Sequence, residues 1–96
     1  MKPDIMTREP IGLKDRDGRH IIEGDIVEYS VEYDYLGRPA YNSSAATRMV
    51  DTVKVIDGVA YFMDEDIGGG GYAWRHAPHC RVIGNIHDAH IVSNAE

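Results

Sequence analysis

One stretch near the start of the chain decides its fold: Leu13-Lys14-Asp15-Arg16-Asp17-Gly18-Arg19-His20-Ile21-Ile22-Glu23-Gly24-Asp25-Ile26-Val27-Glu28-Tyr29. Asp15-Arg16-Asp17-Gly18 is typical of a turn, because aspartate can bond its own backbone and glycine supplies a positive φ. Gly24-Asp25 predicts a second turn, and a strand begins directly after it. The stretch therefore predicts two tight turns that lead into a long strand.

The strand that follows the second turn has a clear period of two. Its apolar members are Val27, Tyr29, Val31, Tyr33 and Tyr35, and its polar members are Glu28, Ser30, Glu32 and Asp34. Successive side chains of a strand point to opposite faces, so each set occupies one face. We expect a half-buried strand with an acidic outer face, which Gly37-Arg38-Pro39 brings to an end.

A hairpin is predicted further along the chain, around Asp57-Gly58. This dipeptide lies between two β-rich runs, and it favours a two-residue type I′ turn. Such a turn pairs Ile56 with Val59, and directly opposed residues share a face of the sheet. The expected core side consists of Val53, Val55, Ala60 and Phe62. The expected outer side consists of Lys54, Ile56, Val59, Tyr61 and Met63.

The remaining segments are short and are separated by turn residues. Residues 40–48 are small and polar and predict a loop, and Gly68–Gly71 predicts a second, very flexible one. Tyr72–Arg75 alternates like a short strand. Cys80–His87 predicts a closing strand with Cys80, Val82, Gly84 and Ile86 on one face, and a glycine inside a strand indicates a bulge. Strands at this spacing indicate an all-β protein, a small barrel or sandwich.

Composition narrows the class of protein further. The chain has 96 residues, of which 43% are hydrophobic, and this suits one folded domain. No apolar run approaches the ~18 residues of a spanning helix, and the N-terminus lacks the apolar core of a signal peptide. Cys80 is the single cysteine and has no partner for an internal disulfide. We therefore expect a reducing, cytoplasmic location.

The charge is unevenly distributed. Residues 21–66 carry three basic and ten acidic side chains, a net of −7, and the rest carries seven basic and six acidic, a net of +1. Binding to a phosphate backbone relies on clustered Lys and Arg, which the middle of this chain does not offer. The balance allows a basic protein partner or mimicry of nucleic acid, although plain solubility is the simpler explanation.

Two runs at the ends of the chain carry a family resemblance. The first comprises Gly12-Leu13-Lys14-Asp15, Gly18, Ile21, Glu23, Gly24, Asp25, Ile26 and Val27. The second is Val82-Ile83-Gly84-Asn85-Ile86. In this order and spacing they resemble the YopX-like family of phage and prophage proteins. The chain departs from the pattern at Ile22 and His87, where an aromatic is common, and at Asp88-Ala89-His90-Ile91-Val92, which replaces an Asn-Pro-Glu-Leu-like tail.

The resemblance implies an architecture but no activity. It implies an all-β domain built around a small SH3-like barrel with additional strands and loops. In this chain that domain would cover residues 13–90, after an extended N-terminal arm of residues 1–12 and before a tail of residues 91–96. The family has no agreed activity and brings no catalytic residues, so we expect a protein that is not an enzyme and has no cofactor.

A cluster of histidines and the cysteine is the sharpest candidate for metal chemistry. Its members are His76, His79, Cys80, His87 and His90. Zinc takes four such ligands in a tetrahedron, but these residues show no recognised ligand spacing. Cys80 shares the apolar face with Val82, which is typical of a buried, unreactive thiol. We expect no bound metal, and zinc binding remains an alternative.

The strongest candidate for binding is a group of aromatic residues. Tyr61, Tyr72 and Trp74 flank the glycine loop and stand beside Asp64-Glu65-Asp66. Aromatics next to negative charge suit a basic or proline-rich peptide. The competing interpretation is that Trp74 closes the barrel. A carboxylate site could also be formed by Glu23, Asp25 and the run Asp64-Glu65-Asp66. Carboxylates beside a glycine more often stabilise a turn, however, and acidic runs are usually solvated.

Together these observations predict a phage-derived, non-enzymatic protein-interaction module in the host bacterial cytoplasm. Its partner would be another protein, or a second copy of the chain paired through an open strand edge. The first alternative is a nucleic-acid-associated accessory or regulatory module, since small barrels can bind strands through aromatic platforms. The second is a zinc protein that uses the histidine and cysteine cluster.

Overall fold

The structure, a computed structural model, describes residues 10–41, 43–64 and 69–87. The strands are β1 (Pro10–Lys14), β2 (His20–Ile22), β3 (Asp25–Tyr33), β4 (Pro39–Ala40), β5 (Thr47–Ile56), β6 (Val59–Asp64), β7 (Gly69–Tyr72) and β8 (Arg81–Asn85). One short helix, α1 (Ala73–His76), precedes a 3-10 turn over Ala77–His79. The all-β class is therefore confirmed.

Antiparallel pairing organises the strands around β3. β1 and β2 form a two-stranded sheet, and the other six strands form a second sheet in the order β4-β3-β5-β6-β7. β8 also pairs with β3, along the first four residues of β3. The larger sheet curls into a half-barrel. Half of the buried hydrophobic residues lie on its strands β3, β5 and β6: Val27, Tyr29, Val31, Val53 and Phe62.

β3 follows the predicted alternation only as far as Val31. Val27, Tyr29 and Val31 are buried, whereas Tyr33 and Tyr35 are exposed. Pairing of β3 with β5 also stops at Val31. Beyond the strand, one carboxylate oxygen of Asp34 accepts the backbone N–H groups of residues 36 and 38, and this turns the chain. The predicted burial of the last two tyrosines is therefore wrong.

The β5–β6 hairpin has the predicted register. Asp57 and Gly58 both have a positive φ, 52° and 81°, and strand pairing joins Ile56 with Val59 and Val53 with Phe62. Val53 and Phe62 are buried, as the core side requires. Val55 was expected beside them but is 37% exposed. It lies one residue pair away from the tip of the hairpin, opposite Ala60.

The last three glycines of the predicted loop begin a strand, and helical backbone follows that strand. Gly68 lies outside the described residues. β7 pairs with β6, and Gly70 lies so close to it that a Cβ there would overlap the carbonyl oxygen of Phe62. The absence of side chains thus permits a close strand contact instead of a loop. Helical backbone begins at Ala73. The prediction of a strand over Tyr72–Arg75 is therefore wrong after Tyr72, the last residue of β7.

β8 contains the bulge that Gly84 predicts. Ile26 pairs with Gly84 and Val27 with Val82, so Ile83 is an extra residue on the bulged strand. Cys80 and Val82 lie on the buried face as expected. Because the bulge exchanges the two faces, Asn85 is buried further along the strand. Gly84 and Ile86, expected on the buried face, are therefore exposed.

The Asp15 turn connects the two ends of the described chain. One oxygen of Asp15 accepts the N–H groups of Asp17 and Arg19, each at 2.9 Å. The other accepts the N–H of Val82 at 3.0 Å. Burial alone would raise the pKa of Asp15, but these three donors outweigh it and hold the pKa below its usual value. The predicted turn is confirmed.

The predicted arm and the predicted loop both contain some regular structure. β1 begins at Pro10, inside the expected arm, and residues 1–9 lie outside the described residues. The expected loop of residues 40–48 takes in the end of β4 and the start of β5. Between them the N–H of Ala46 donates to the carbonyl of Ser43, which closes a turn.

Candidate functional site

Polar and aromatic side chains converge on the concave, inner face of the half-barrel. Tyr29 of β3 and Asp51 of β5 reach this face because Val27 and Asp51 are paired and share it. His76 of α1 closes over them, since α1 packs against β6. All three are buried, with Asp51 and His76 each only 3% exposed.

Tyr29 and Asp51 are directly bonded. The Tyr29 hydroxyl donates to Oδ2 of Asp51 at 2.7 Å. Burial raises the pKa of Asp51, the bond from Tyr29 opposes this rise, and the charge of Asp64 adds to it. Burial, followed by the hydrogen bond and charge of Asp51, likewise raises the pKa of Tyr29. The pKa values of both groups are therefore shifted upward, and burial is the largest cause in each case.

His76 is held between two tyrosines. Its ring stacks on Tyr29 with centroids 4.6 Å apart, and its Nδ1 lies 2.6 Å from the hydroxyl oxygen of Tyr41. Burial, and after it the neighbouring charges of Arg75 and His79, lowers the pKa of His76 to about 4. The imidazole is consequently neutral at physiological pH.

A cavity of about 300 Å³ opens beside these groups. Its walls are Tyr29, Tyr33, Met49, Asp51, Asp64, Gly70, Gly71, Arg75 and His76. The β5–β6 register ends with Thr52 opposite Met63, and one further step places Asp64 opposite Asp51. Two carboxylates thus face each other across the strands at this cavity, an arrangement that is destabilising unless protons or cations compensate it.

A second, larger groove of about 540 Å³ is lined by Tyr41 and by Tyr29, which also lines the first cavity. Tyr41 stacks on His79 there, with centroids 3.6 Å apart. Arg48 also lines this groove, but its guanidinium bonds Oε1 of Glu28 at 2.6 Å. The charge of Arg48 is therefore compensated within the chain, and Arg16 is the other arginine that lines the groove.

The three predicted aromatic residues form a continuous stack on the outer face, which we name the outer aromatic surface (Tyr61, Tyr72 and Trp74). Tyr61 and Tyr72 are 5.4 Å apart between ring centroids, and Tyr72 and Trp74 are 6.2 Å apart. Tyr72 is 48% exposed and Trp74 is 59% exposed. Trp74 therefore does not close the core. The guanidinium of Arg75 lies 5.9 Å from the centre of the Trp74 ring.

The acidic run that the sequence places beside these aromatics is not on their face. Alternation along β6 puts Asp64 on the same face as Phe62 and opposite to Tyr61. Asp64 accordingly lines the inner cavity. Glu65 and Asp66 lie outside the described residues. The structure thus brings the predicted aromatic residues together. It separates them from Asp64, the one residue of the acidic run that lies within the described residues.

The histidines and the cysteine are dispersed. His76 belongs to the group of buried residues on the inner face, which we name the inner cluster (Tyr29, Asp51 and His76). His79 stacks on Tyr41 at the larger groove. Burial, and after it the charge of Asp15, raises the pKa of the Cys80 thiol to about 12. The ring of His87 lies against Gly24, and His90 lies outside the described residues. Across residues 10–41, 43–64 and 69–87, no three metal-ligating side chains form a group that could hold a metal ion.

Asp25 has the structural role that its position beside Gly24 predicts. Its Oδ2 accepts the N–H of Ile22 at 2.9 Å, and its Oδ1 accepts from the amide of Asn85 at 2.9 Å. These bonds tie the second turn to β8. Asp25 is therefore engaged in the turn on both oxygens.

The inner cluster was missed in the sequence, although one indication was present. Asp51 has the same strand parity as Val53 and Val55, the predicted core side of β5. An aspartate on an apolar phase indicates a buried carboxylate, which needs a partner. Tyr41 carries no comparable pattern, because its contact with His76 joins segments 35 residues apart.

The fold and the inner cavity define a class, a small all-β protein with a cavity of polar and aromatic side chains inside one curled sheet. Within the part of the chain that the structure describes, no helix is long and apolar enough to cross a bilayer. Residues 4–90 match the family described as YopX protein. The chain belongs to the YopX family, as its two terminal runs predict. No curated protein and no solved structure matches it.

Proposed function

We propose that this protein is a non-enzymatic interaction module of phage or prophage origin that works in the host bacterial cytoplasm. Its partner is a basic segment of another protein, which binds to the outer aromatic surface. Membership of the YopX family is consistent with a small phage-type protein. We also infer that the curled sheet is the SH3-like barrel that the resemblance implies, an inference supported by the consecutive antiparallel strands β5, β6 and β7.

The exposed aromatic stack is the observation that carries this proposal. Tyr72 and Trp74 are about half exposed while stacked on one another. Tyrosine and tryptophan provide large contact areas at small conformational cost and dominate binding energy at interfaces. Arg75 already lies over one face of Trp74, which supports the ability of this surface to accept a cation.

The charge of the chain supports a basic partner. The formal net charge is −6 at pH 7. A basic peptide would be steered towards such a protein, and its association would weaken as salt is added. The same charge disfavours the competing function, a nucleic-acid-associated module, because it would repel a phosphate backbone.

Trp74, the single tryptophan, provides a direct test. Its fluorescence would be followed while a lysine- and arginine-rich peptide, a proline-rich peptide or an acidic peptide is added. We expect the basic peptide to bind, and Tyr72→Ala to weaken its binding about tenfold. Tyr35→Ala is the matched control, because Tyr35 is exposed away from this surface.

Three results would contradict the proposal. The first is equal binding of the acidic peptide, and the second is unchanged binding by Tyr72→Ala. The third is binding to nucleic acid that is strong at low salt and falls steeply as salt rises, which would favour the competing function. Light scattering in the same buffer would show whether the surface instead joins two copies of the chain.

A further inference from the structure

The larger groove lies at a break in the pairing of β3. Along one edge of β3, β8 pairs with it as far as Glu28, and β4 pairs with it from Glu32 onward. Residues 29–31 between these points have no partner strand on this edge among the described residues. The groove is lined by both Tyr29 and Ser30, which point to opposite faces of the sheet, so it lies at the edge itself. Backbone donors and acceptors at an unpaired edge are available to a ligand.

The break is short and is bounded at both ends. Three residues of a strand span about 10 Å, at roughly 3.3 Å for each residue. Because β8 and β4 occupy the edge on either side, a longer added strand would overlap one of them. The groove measures about 540 Å³, which is within the usual range of pockets for small molecules. We therefore expect a small ligand at this break and not an extended peptide.

An aromatic stack joins the two ends of the break. Tyr41 directly follows β4, and His79 precedes β8 by two positions. Their rings stack with centroids 3.6 Å apart and ring planes 5° apart. His79 is exposed, and both rings line the groove. Nucleobases stack on tyrosine and histidine rings, so a flat heterocycle in the groove would extend this stack. Its polar edge would then lie close to the unpaired backbone of β3.

One positive charge in the groove is not compensated within the described chain. Arg48 is paired with Glu28, as described above. Arg16 lines the same groove, and none of the ion pairs among the described residues involves its guanidinium. The backbone N–H of Arg16 donates to the carbonyl of Cys80, the residue after His79, and this holds Arg16 beside the aromatic stack. A guanidinium in this position can bind phosphate oxygens through two parallel N–H groups.

We propose that this groove binds a mononucleotide, with its base beside His79 at the strand edge and its phosphate at Arg16. A break of three residues and a single uncompensated arginine suit one nucleotide. A longer nucleic acid would instead be repelled by the formal net charge of −6. The groove contains no residue of the outer aromatic surface, so this site can exist whether or not a peptide binds to that surface.

Titrations of the unmodified protein followed by amide NMR test the proposal. The probes are deoxyadenosine monophosphate, deoxyadenosine, inorganic phosphate and a single-stranded oligodeoxyadenylate, all at one ionic strength. We expect the monophosphate to shift the amides of Ser30, Val31 and His79. It should bind at least about tenfold more tightly than deoxyadenosine or inorganic phosphate, because only the nucleotide uses both the aromatic stack and Arg16. Tighter binding of the oligonucleotide, counted per nucleotide, would overturn the proposal and assign the groove to a nucleic acid strand.

Three variants separate the phosphate contact from the base contact. We expect Arg16→Gln to weaken binding of the monophosphate about tenfold and to leave binding of deoxyadenosine unchanged. Arg19→Gln is the matched control, because Arg19 is exposed in the same turn, lies outside the groove and should bind within about twofold of the parent protein. His79→Ala should weaken binding of the monophosphate by more than that of inorganic phosphate.

Three results would overturn the proposal. The first is binding of inorganic phosphate or of deoxyadenosine as tight as that of the monophosphate. The second is unchanged binding of the monophosphate by Arg16→Gln, and the third is an equal loss in Arg19→Gln. The comparison among the probes uses the unmodified protein alone, so it decides the matter even if His79→Ala does not fold.

Discussion

Nδ1 of His76 and the hydroxyl oxygen of Tyr41 lie 2.6 Å apart, in a contact that joins α1 to the segment after β4. The same imidazole stacks on Tyr29 of β3. His76 therefore connects three separate parts of the chain while buried and neutral. Protonation of this ring would place a charge in the core, and the stability of the fold depends on preventing it.

We expect this arrangement to make the protein sensitive to acid. The pKa of His76 is about 4 in the folded protein and 6.5 in the unfolded chain, so the unfolded chain binds the proton first. The stability is complete above pH 6.5 and is lost as the pH falls towards 4, by about 3 kcal/mol. Urea unfolding at pH 7.5, 5.5 and 4 measures this loss.

His76→Phe isolates the effect of the imidazole. Phenylalanine keeps an aromatic ring against Tyr29 but does not titrate, so this part of the pH dependence should disappear. His20→Gln is the control, because it removes an exposed histidine and leaves the buried imidazole of His76 in place. An acid-dependent loss of equal size in His76→Phe and in the parent protein would contradict the prediction.

Asp51 should change the free energy of unfolding with pH in the opposite direction to His76. Its pKa is raised by burial, so the folded protein holds this proton more tightly than the unfolded chain. The corresponding stability is present below the unfolded pKa of 3.8 and is lost as the pH rises through the higher folded value. His76 and Asp51 thus contribute with opposite signs between pH 4 and 7.5, and in Asp51→Asn we expect the free energy of unfolding to rise more over this range than in the parent protein. A smaller rise in the variant, measured by the same urea series, would show that the sign is wrong.

The sequence was a good guide wherever a local rule determines structure. Asp57-Gly58 fixed the register of β5 and β6, because a two-residue turn leaves one way to pair the strands. Gly84 located the bulge in β8 for a similar reason. Asp15 and Gly18 located the first turn. In each case the information lies within a few residues.

The sequence was a poor guide where structure depends on distant parts of the chain. Strand periodicity requires side chains, so the glycines of β7 gave no sign of the strand that pairing with β6 creates. Tyr35 continued the alternation of β3, but the turn at Asp34 removed it from the sheet. The inner cavity arises from β3, β5, β6, β7 and α1 together, and no single segment indicates it.

The close contact of β7 with β6 predicts a difference between two neighbouring glycines. A Cβ on Gly70 would overlap the carbonyl oxygen of Phe62, which is backbone and cannot move aside alone. A Cβ on Gly71 would meet Nε2 of His76 at 3.4 Å, an ordinary contact. We expect Gly70→Ala to reduce the free energy of unfolding by about 2 kcal/mol and Gly71→Ala by much less. Equal stability of the two variants in urea would contradict the pairing of β6 with β7.

The burial of Cys80 predicts a thiol that reacts only when the fold opens. Its side chain is fully buried, and burial raises its pKa to about 12, so almost no thiolate exists at pH 8. We expect a thiol reagent at pH 8 to label the native protein slowly and the urea-unfolded protein rapidly, with the native rate increasing as urea is added. The matched control is Ser44→Cys in a Cys80→Ala background, because residue 44 is exposed and should be labelled at once. Labelling of native Cys80 as fast as this control would show that the thiol is not buried in the native protein.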